Sequence, residues 1–343
     1  MEIHIDSPYR FSMELRSESQ LAGMPLVVQD VGADVGELVE ESFVRAVLAE
    51  RLPPEPEWLR VRVRPRWSSE PLVDRIEIAL EARENGTRGT WRQAYASGRW
   101  VRTAQLARVA LEREGTVQEG ETVYRLLVGT PEPDEPDWRV PPLAAPPIVD
   151  QSLEALGVRQ LGAGSVVPDL PVLVNERFVR EAIRACERSG TIETGGAVLG
   201  KVVRLPKPLP GAATRITTVL SATLDDPRHQ GEVMNFTFSV DALDEAARVA
   251  DLRGLGERVV TVYHTHGWKP ECAQCPGSSR CPLVECRPSL QDYQMIEALF
   301  PSKATLVPIV GRKSGAATSG PVFEVHAWRG GQLCPIRWQA YQD

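Results

Sequence analysis

Two histidines one residue apart, His264 and His266, close an apolar run from Val259 to Tyr263. Ser289 and Asp292 follow downstream, and Glu193-Thr194-Gly195-Gly196 lies far upstream. Two imidazoles and one carboxylate are the donors of a catalytic zinc, which keeps a fourth position open for water. Residues two apart on a strand point to the same face, so His264 and His266 can reach one ion. Asp292 is the expected third ligand. Ser289 stands three residues before it on the same helical face, at a helix start marked by Pro288, and reads as both N-cap and active-site hydroxyl. The positive end of that helix favours a carboxylate. A zinc held there would acidify water and polarise a carbonyl. Glu193 is expected to act as general base and to pass the proton to a leaving amine. Ser289 is expected to stabilise the oxyanion.

A second group of donors sits between the histidines and Ser289. Four of the chain's six cysteines, Cys272, Cys275, Cys281 and Cys286, fall in this short stretch. Four thiolates suit a closed structural zinc, and the alternatives are an iron–sulfur cluster or no metal. Pro270, Pro276, Pro282 and Pro288 break regular structure, so such a loop needs a staple. Trp268 either lines a substrate channel or packs the base of the loop. Cys186 and Cys334 read as structural, and His4, His229 and His326 read as surface or hydrogen-bonded histidines.

The elements that must position these groups follow from periodicity. The pattern predicts a helix over 175–189 stopped by Gly190, strands over 195–205 and 216–224, and a helix opening at Ser239 and running to about Leu252. A strand over 258–264, a helix over 289–300 and strands over 305–310 and 322–328 complete the region. This is a mixed sheet flanked by helices. Glycines beside Glu193 would let its strand approach a neighbour closely.

Upstream, Pro-rich sequence from 131 to 147 cannot continue a helix or central strand. It separates an α+β domain at 1–130 from a domain at 166–343, with 131–165 as linker. In the first domain a helix is expected over 37–51. Strands are expected over 59–64, 75–81, 91–100 and 123–128, with a second helix over 104–114. Arg60, Arg62, Arg64 and Arg66 form one row on the first of these strands. The plain reading is a solvated sheet face where Arg and Glu rows pair, and the other reading is a docking patch for an acidic partner.

The 343-residue chain is 42% hydrophobic and 25% charged, ordinary for a globular protein. Its net charge of −7 disfavours general binding to nucleic acid or anionic membranes. No apolar stretch reaches bilayer length, and the N-terminal residues do not read as a signal peptide, so the expectation is a cytoplasmic protein.

Glu193-Thr194-Gly195-Gly196, His264-Thr265-His266 and Ser289-x-x-Asp292 together resemble the JAMM (JAB/MPN-plus) metalloprotease signature, in the flavour of its AMSH-like deubiquitinase branch. The resemblance covers roughly 172–328 and implies the JAB/MPN fold. It implies zinc-dependent cleavage after the C-terminal glycine of ubiquitin or a ubiquitin-like protein, as deconjugation or precursor processing. The implied partners are ubiquitin-like proteins, their conjugates and the enzymes that activate or conjugate them. Here residues 267–288, with all four clustered cysteines, stand as an insertion between the second histidine and the serine. The alternative readings are a non-catalytic MPN-type scaffold and an iron–sulfur or zinc module centred on the cysteines.

Overall fold

The computed structural model describes all residues except 18–23, 70–71, 117–121, 130–139, 191, 226–229, 233–234, 267–284 and 313–319. The chain forms two compact units, Met1–Ala145 with Arg329–Gln332, and Pro146–Trp328 with Leu333–Asp343. Both are mixed α/β. Among the described residues no helix is long and apolar enough to cross a membrane.

The first unit runs β1 (Glu2–Asp6), β2 (Arg10–Ser17), β3 (Val27–Asp30), α1 (Gly32–Leu48), β4 (Trp58–Ser69), β5 (Leu72–Glu84), β6 (Thr87–Ala96), α2 (Val101–Arg113) and β7 (Thr122–Gly129). Its seven-stranded sheet has the order β1-β4-β5-β7-β2-β3, with β6 paired to β5. Alternation assigns the faces. Leu59, Val61 and Val63 of β4 and Ile76, Ile78 and Leu80 of β5 are buried, as are Phe11, Met13 and Leu15 of β2. Leu38, Val39, Phe43 and Val47 supply the buried side of α1. That helix starts five residues earlier than its apolar stripe suggests, and the Asp30 carboxylate accepts the N–H of its first residue, Gly32, at 2.6 Å.

The second unit runs β8 (Ile148–Asp150), β9 (Gln160–Gly164), β10 (Val172–Asn175), α3 (Glu176–Ser189), β11 (Gly195–Arg204), β12 (Ile216–Asp225), β13 (Gln230–Glu232), β14 (Asn235–Thr237), α4 (Val240–Arg253), β15 (Arg258–Thr265), α5 (Leu290–Leu299), β16 (Leu306–Gly311), β17 (Val322–Arg329), β18 (Gln332–Ile336) and β19 (Gln339–Gln342). Ten strands form its main sheet in the order β18-β17-β16-β15-β11-β12-β10-β19-β9, with β8 on β11. Strands β8 and β9 fall within the stretch that reads as linker in sequence.

Local chemistry sets the element ends. The Asn175 side chain accepts the Arg177 N–H at 2.8 Å and caps α3, and Gly190 ends it at φ 66°. Ser239 caps α4 through Ala242. Phe178 of α3 meets Tyr263 and Phe323 edge-on, with ring centroids 5.7 and 5.3 Å apart, and so fastens that helix to β15 and β17. Ala246 and Ala250 of α4 pack on Ala197 and Leu199 of β11. Gly196 of β11 lies so close to β12 that an added Cβ would stand 2.3 Å from the Leu224 carbonyl oxygen. The close approach expected of that Gly-Gly pair is therefore present.

Candidate metal centre

Strand β15 is the middle of the site. It pairs antiparallel with β11, setting Gly195 opposite His264, and parallel with β16, setting His264 beside Ile309. Flanked on both sides, it is buried from Thr261 through His266. Beyond its formal end the His266 N–H donates to the Val310 carbonyl at 2.7 Å, which keeps the backbone extended for one more residue. His264 and His266 therefore project to one face, as their spacing predicts.

Asp292 arrives on the first turn of α5. Ser289 is its N-cap: the Ser289 hydroxyl accepts the Asp292 N–H at 3.2 Å, and the Asp292 carboxylate accepts the Ser289 N–H at 2.5 Å. This reciprocal capping box locks the carboxylate at the helix start. One Asp292 oxygen then lies 3.0 Å from His264 Nε2, and the other lies 3.6 Å from His266 Nε2. The two Nε2 atoms are 3.1 Å apart.

These distances fit an ion. Two donors about 2.1 Å from a tetrahedral zinc stand about 3.4 Å from each other. Three donor atoms, one from each residue, lie within 4.8 Å of one another, and all three residues are buried. The group could hold a metal ion. The tautomer of His266 agrees: its Nδ1–H donates to the Glu285 carbonyl at 2.5 Å, leaving the Nε2 lone pair turned to the centre. His264 is fully buried, and its Nδ1 has no hydrogen-bond partner among the described residues.

Charge follows from the same contacts. Burial pushes the Asp292 carboxyl up, but His264 and His266 pull it further down, so it lies well below the usual carboxylate range. Burial lowers His264, and Asp292 outweighs that, so His264 is raised on balance. Glu193 is the complement. Burial pushes its carboxyl up, the two imidazoles oppose this, and Asp292 adds to it. A half-buried carboxyl with a raised pKa is suited to taking and returning a proton.

Glu193 is held in place by the residue between the two histidines. The Thr265 N–H donates to the Thr194 carbonyl at 2.7 Å, and the Thr265 hydroxyl accepts the Thr194 N–H at 3.1 Å. The Glu193 carboxyl thereby stands where His264, His266 and Asp292 all act on its charge. Neither Thr265 nor Glu285 stands out as functional in the sequence. The place of Thr265 between two ligands pointing the other way was the available sign. Glu285 acts through its backbone, and no side-chain pattern reveals that.

The structure thus brings Glu193, His264, His266, Ser289 and Asp292 together. Trp268, Cys272, Cys275 and Cys281 lie outside the described residues. Cys286 is described: it is buried with Val262, Ile296 and Val307, its thiol donates to the Val322 carbonyl at 3.4 Å, and burial pushes that thiol up. Cys186 is buried as expected, donates to the His266 carbonyl at 3.5 Å and is pushed up to about 12 by burial. His326 is buried on β17, and burial lowers it to about 4.

No family model matches the chain, and no curated protein matches it. Among solved structures, the solution structure of protein DSY2949 from Desulfitobacterium hafniense is similar over 50% of this chain and 94% of that one. The identity is 16% and the TM-score 0.31, too low for the likeness to bear on fold or function.

Proposed function

We propose that this protein is a zinc-dependent isopeptidase or peptidase acting after the C-terminal glycine of ubiquitin or a ubiquitin-like protein. The observation that carries the reading is the buried convergence of His264, His266 and Asp292 on one point, with the Glu193 carboxyl near enough to feel the charge of all three. A zinc bound by those three side chains would supply Lewis acidity at the scissile carbonyl. The chain's own residues supply the rest. Glu193 takes a proton from the attacking water and returns it to the departing lysine amine. The Ser289 hydroxyl accepts the Asp292 N–H, so its own proton is left to donate to the developing oxyanion. The Glu285 carbonyl keeps the His266 ring in the tautomer that presents Nε2. The choice of a ubiquitin-like substrate comes from the motif resemblance, and its partners would be such proteins and their conjugates.

The test joins metal content to turnover. Inductively coupled plasma mass spectrometry should find zinc in the wild type, and His264→Ala/His266→Ala should remove one equivalent. Glu193→Gln should keep that zinc and lose cleavage of a ubiquitin-like isopeptide by about 100-fold or more, the usual scale for a general base. Zinc unchanged by the double substitution would sink the metal centre. Undiminished turnover in Glu193→Gln would remove Glu193 from the chemistry. A zinc-loaded protein that cleaves no such conjugate would leave the non-catalytic scaffold.

A further inference from the structure

The outer face of the first unit's sheet carries a concentrated positive charge that its own carboxylates do not balance. Strand register lays this face out in rows. Arg62 of β4 pairs with Ala79 of β5, which pairs with Arg92 of β6; the next row is Arg64, Glu77 and Ala94. Neighbouring strands are about 4.8 Å apart, so Arg62 and Arg92 stand about 10 Å from each other across an alanine floor. The result is a groove of about 390 Å³ lined by Arg62, Arg64, Arg66 and Arg92, with Glu77 as its one carboxylate among the described residues.

The local ion pairs leave an excess. Arg60 and Arg62 share the single Asp6 carboxylate, each at 3.2 Å. Arg66 holds Glu77 at 2.9 Å, and Arg88 holds Glu81 at 2.9 Å. Arg64 and Arg92 are exposed and have no ion-pair or hydrogen-bond partner among the described residues. In a chain of net charge −7 this is a local reversal of sign. The expected pairing of Arg and Glu rows is thus present on part of the face and absent where the alanines lie.

We propose that this groove binds an extended, acidic protein segment with carboxylates at alternate positions. An extended chain repeats its side chains about 6.8 Å apart on one face, the spacing of Arg62, Arg64 and Arg66 along β4. Guanidinium forks match carboxylates in pairs of hydrogen bonds. Nucleic acid fits less well: among the described residues no aromatic ring lines the groove for a base to stack on, and Glu77 opposes a continuous phosphate chain. The site is independent of the zinc chemistry, and its test does not use turnover.

The test is fluorescence anisotropy on the full chain with a fluorescein-labelled peptide of alternating Glu and Thr, at low and at physiological salt. Binding should be salt-sensitive, and Arg64→Ala/Arg92→Ala should weaken it about tenfold. Arg248→Ala, on an exposed arginine of α4, should leave it unchanged. If the double variant does not fold, by circular dichroism, Arg64→Gln is read instead, with an expected loss of about threefold. Absence of binding at low salt overturns the proposal, as does equal binding by the groove variants. An oligothymidylate that binds more tightly than the peptide overturns it in favour of a nucleic-acid site.

Discussion

Thr265 shows how one side chain can join two halves of a site. It faces away from the His264–His266–Asp292 cluster, yet its hydroxyl accepts the N–H next to Glu193. Thr265→Val keeps the shape and removes that acceptor. A hydrogen bond of this kind contributes about 1 kcal/mol, and 1.4 kcal/mol is about tenfold in rate. The expected result is therefore a roughly fivefold fall in kcat with KM and zinc content unchanged, restored by Thr265→Ser. A residue that only stabilised the fold would lower the melting temperature and leave kcat of the folded fraction alone. His326 invites a different measurement. Its imidazole is lowered from 6.5 to about 4 by burial. Between those pH values the unfolded chain binds a proton that the folded chain refuses. Stability is therefore complete above pH 6.5 and is lost as the pH falls towards 4, by on the order of 3 kcal/mol. In metal-free protein, denaturant titrations of His326→Gln should show a shallower loss across that window than the wild type. Parallel curves would mean that the imidazole is not the group titrating.

At the scale of elements, tolerance for change is set by how near the backbones run. An alanine at position 196 would press its methyl against the Leu224 carbonyl, 2.3 Å away, and backbone there cannot give as a side chain can. Gly196→Ala is expected to cost about 2–3 kcal/mol, read as a lower thermal midpoint. A midpoint within a degree of the wild type would mean that β11 and β12 can part freely. The same elements show what sequence reasoning can reach. Strand β15 and helix α5 were legible because an apolar run ended in ligands and a Ser-x-x-Asp box opened a helix. Helix α3 is legible from its apolar stripe and from Gly190, while the Asn175 cap emerges only in the structure. Strand β2 was overlooked although Phe11, Met13 and Leu15 alternate cleanly. Strand β19, Gln-Ala-Tyr-Gln, has no pattern to read; it exists because β10 and β9 offer it edges. Sheet order and the Thr265–Thr194 contact depend on pairing between distant segments, which no local window contains.

For the whole molecule, β19 lies between β10 and β9, so two of the second unit's strands depend on residues far along the chain. A chain ending at residue 338 would leave β10 and β9 with open edges. That truncation is expected to lower the yield of monodisperse protein sharply by size-exclusion chromatography, because unpaired edges template association. An equally monodisperse product would show that β19 is dispensable. This placement also sets a timetable for synthesis. Gln342 bonds Glu176 across 166 residues of chain. A ribosome adding about 5–20 residues per second takes on the order of 10–30 seconds to cover that distance. For that interval the nascent chain holds β10 without its neighbour, and the cell must shelter an edge that the finished protein never shows.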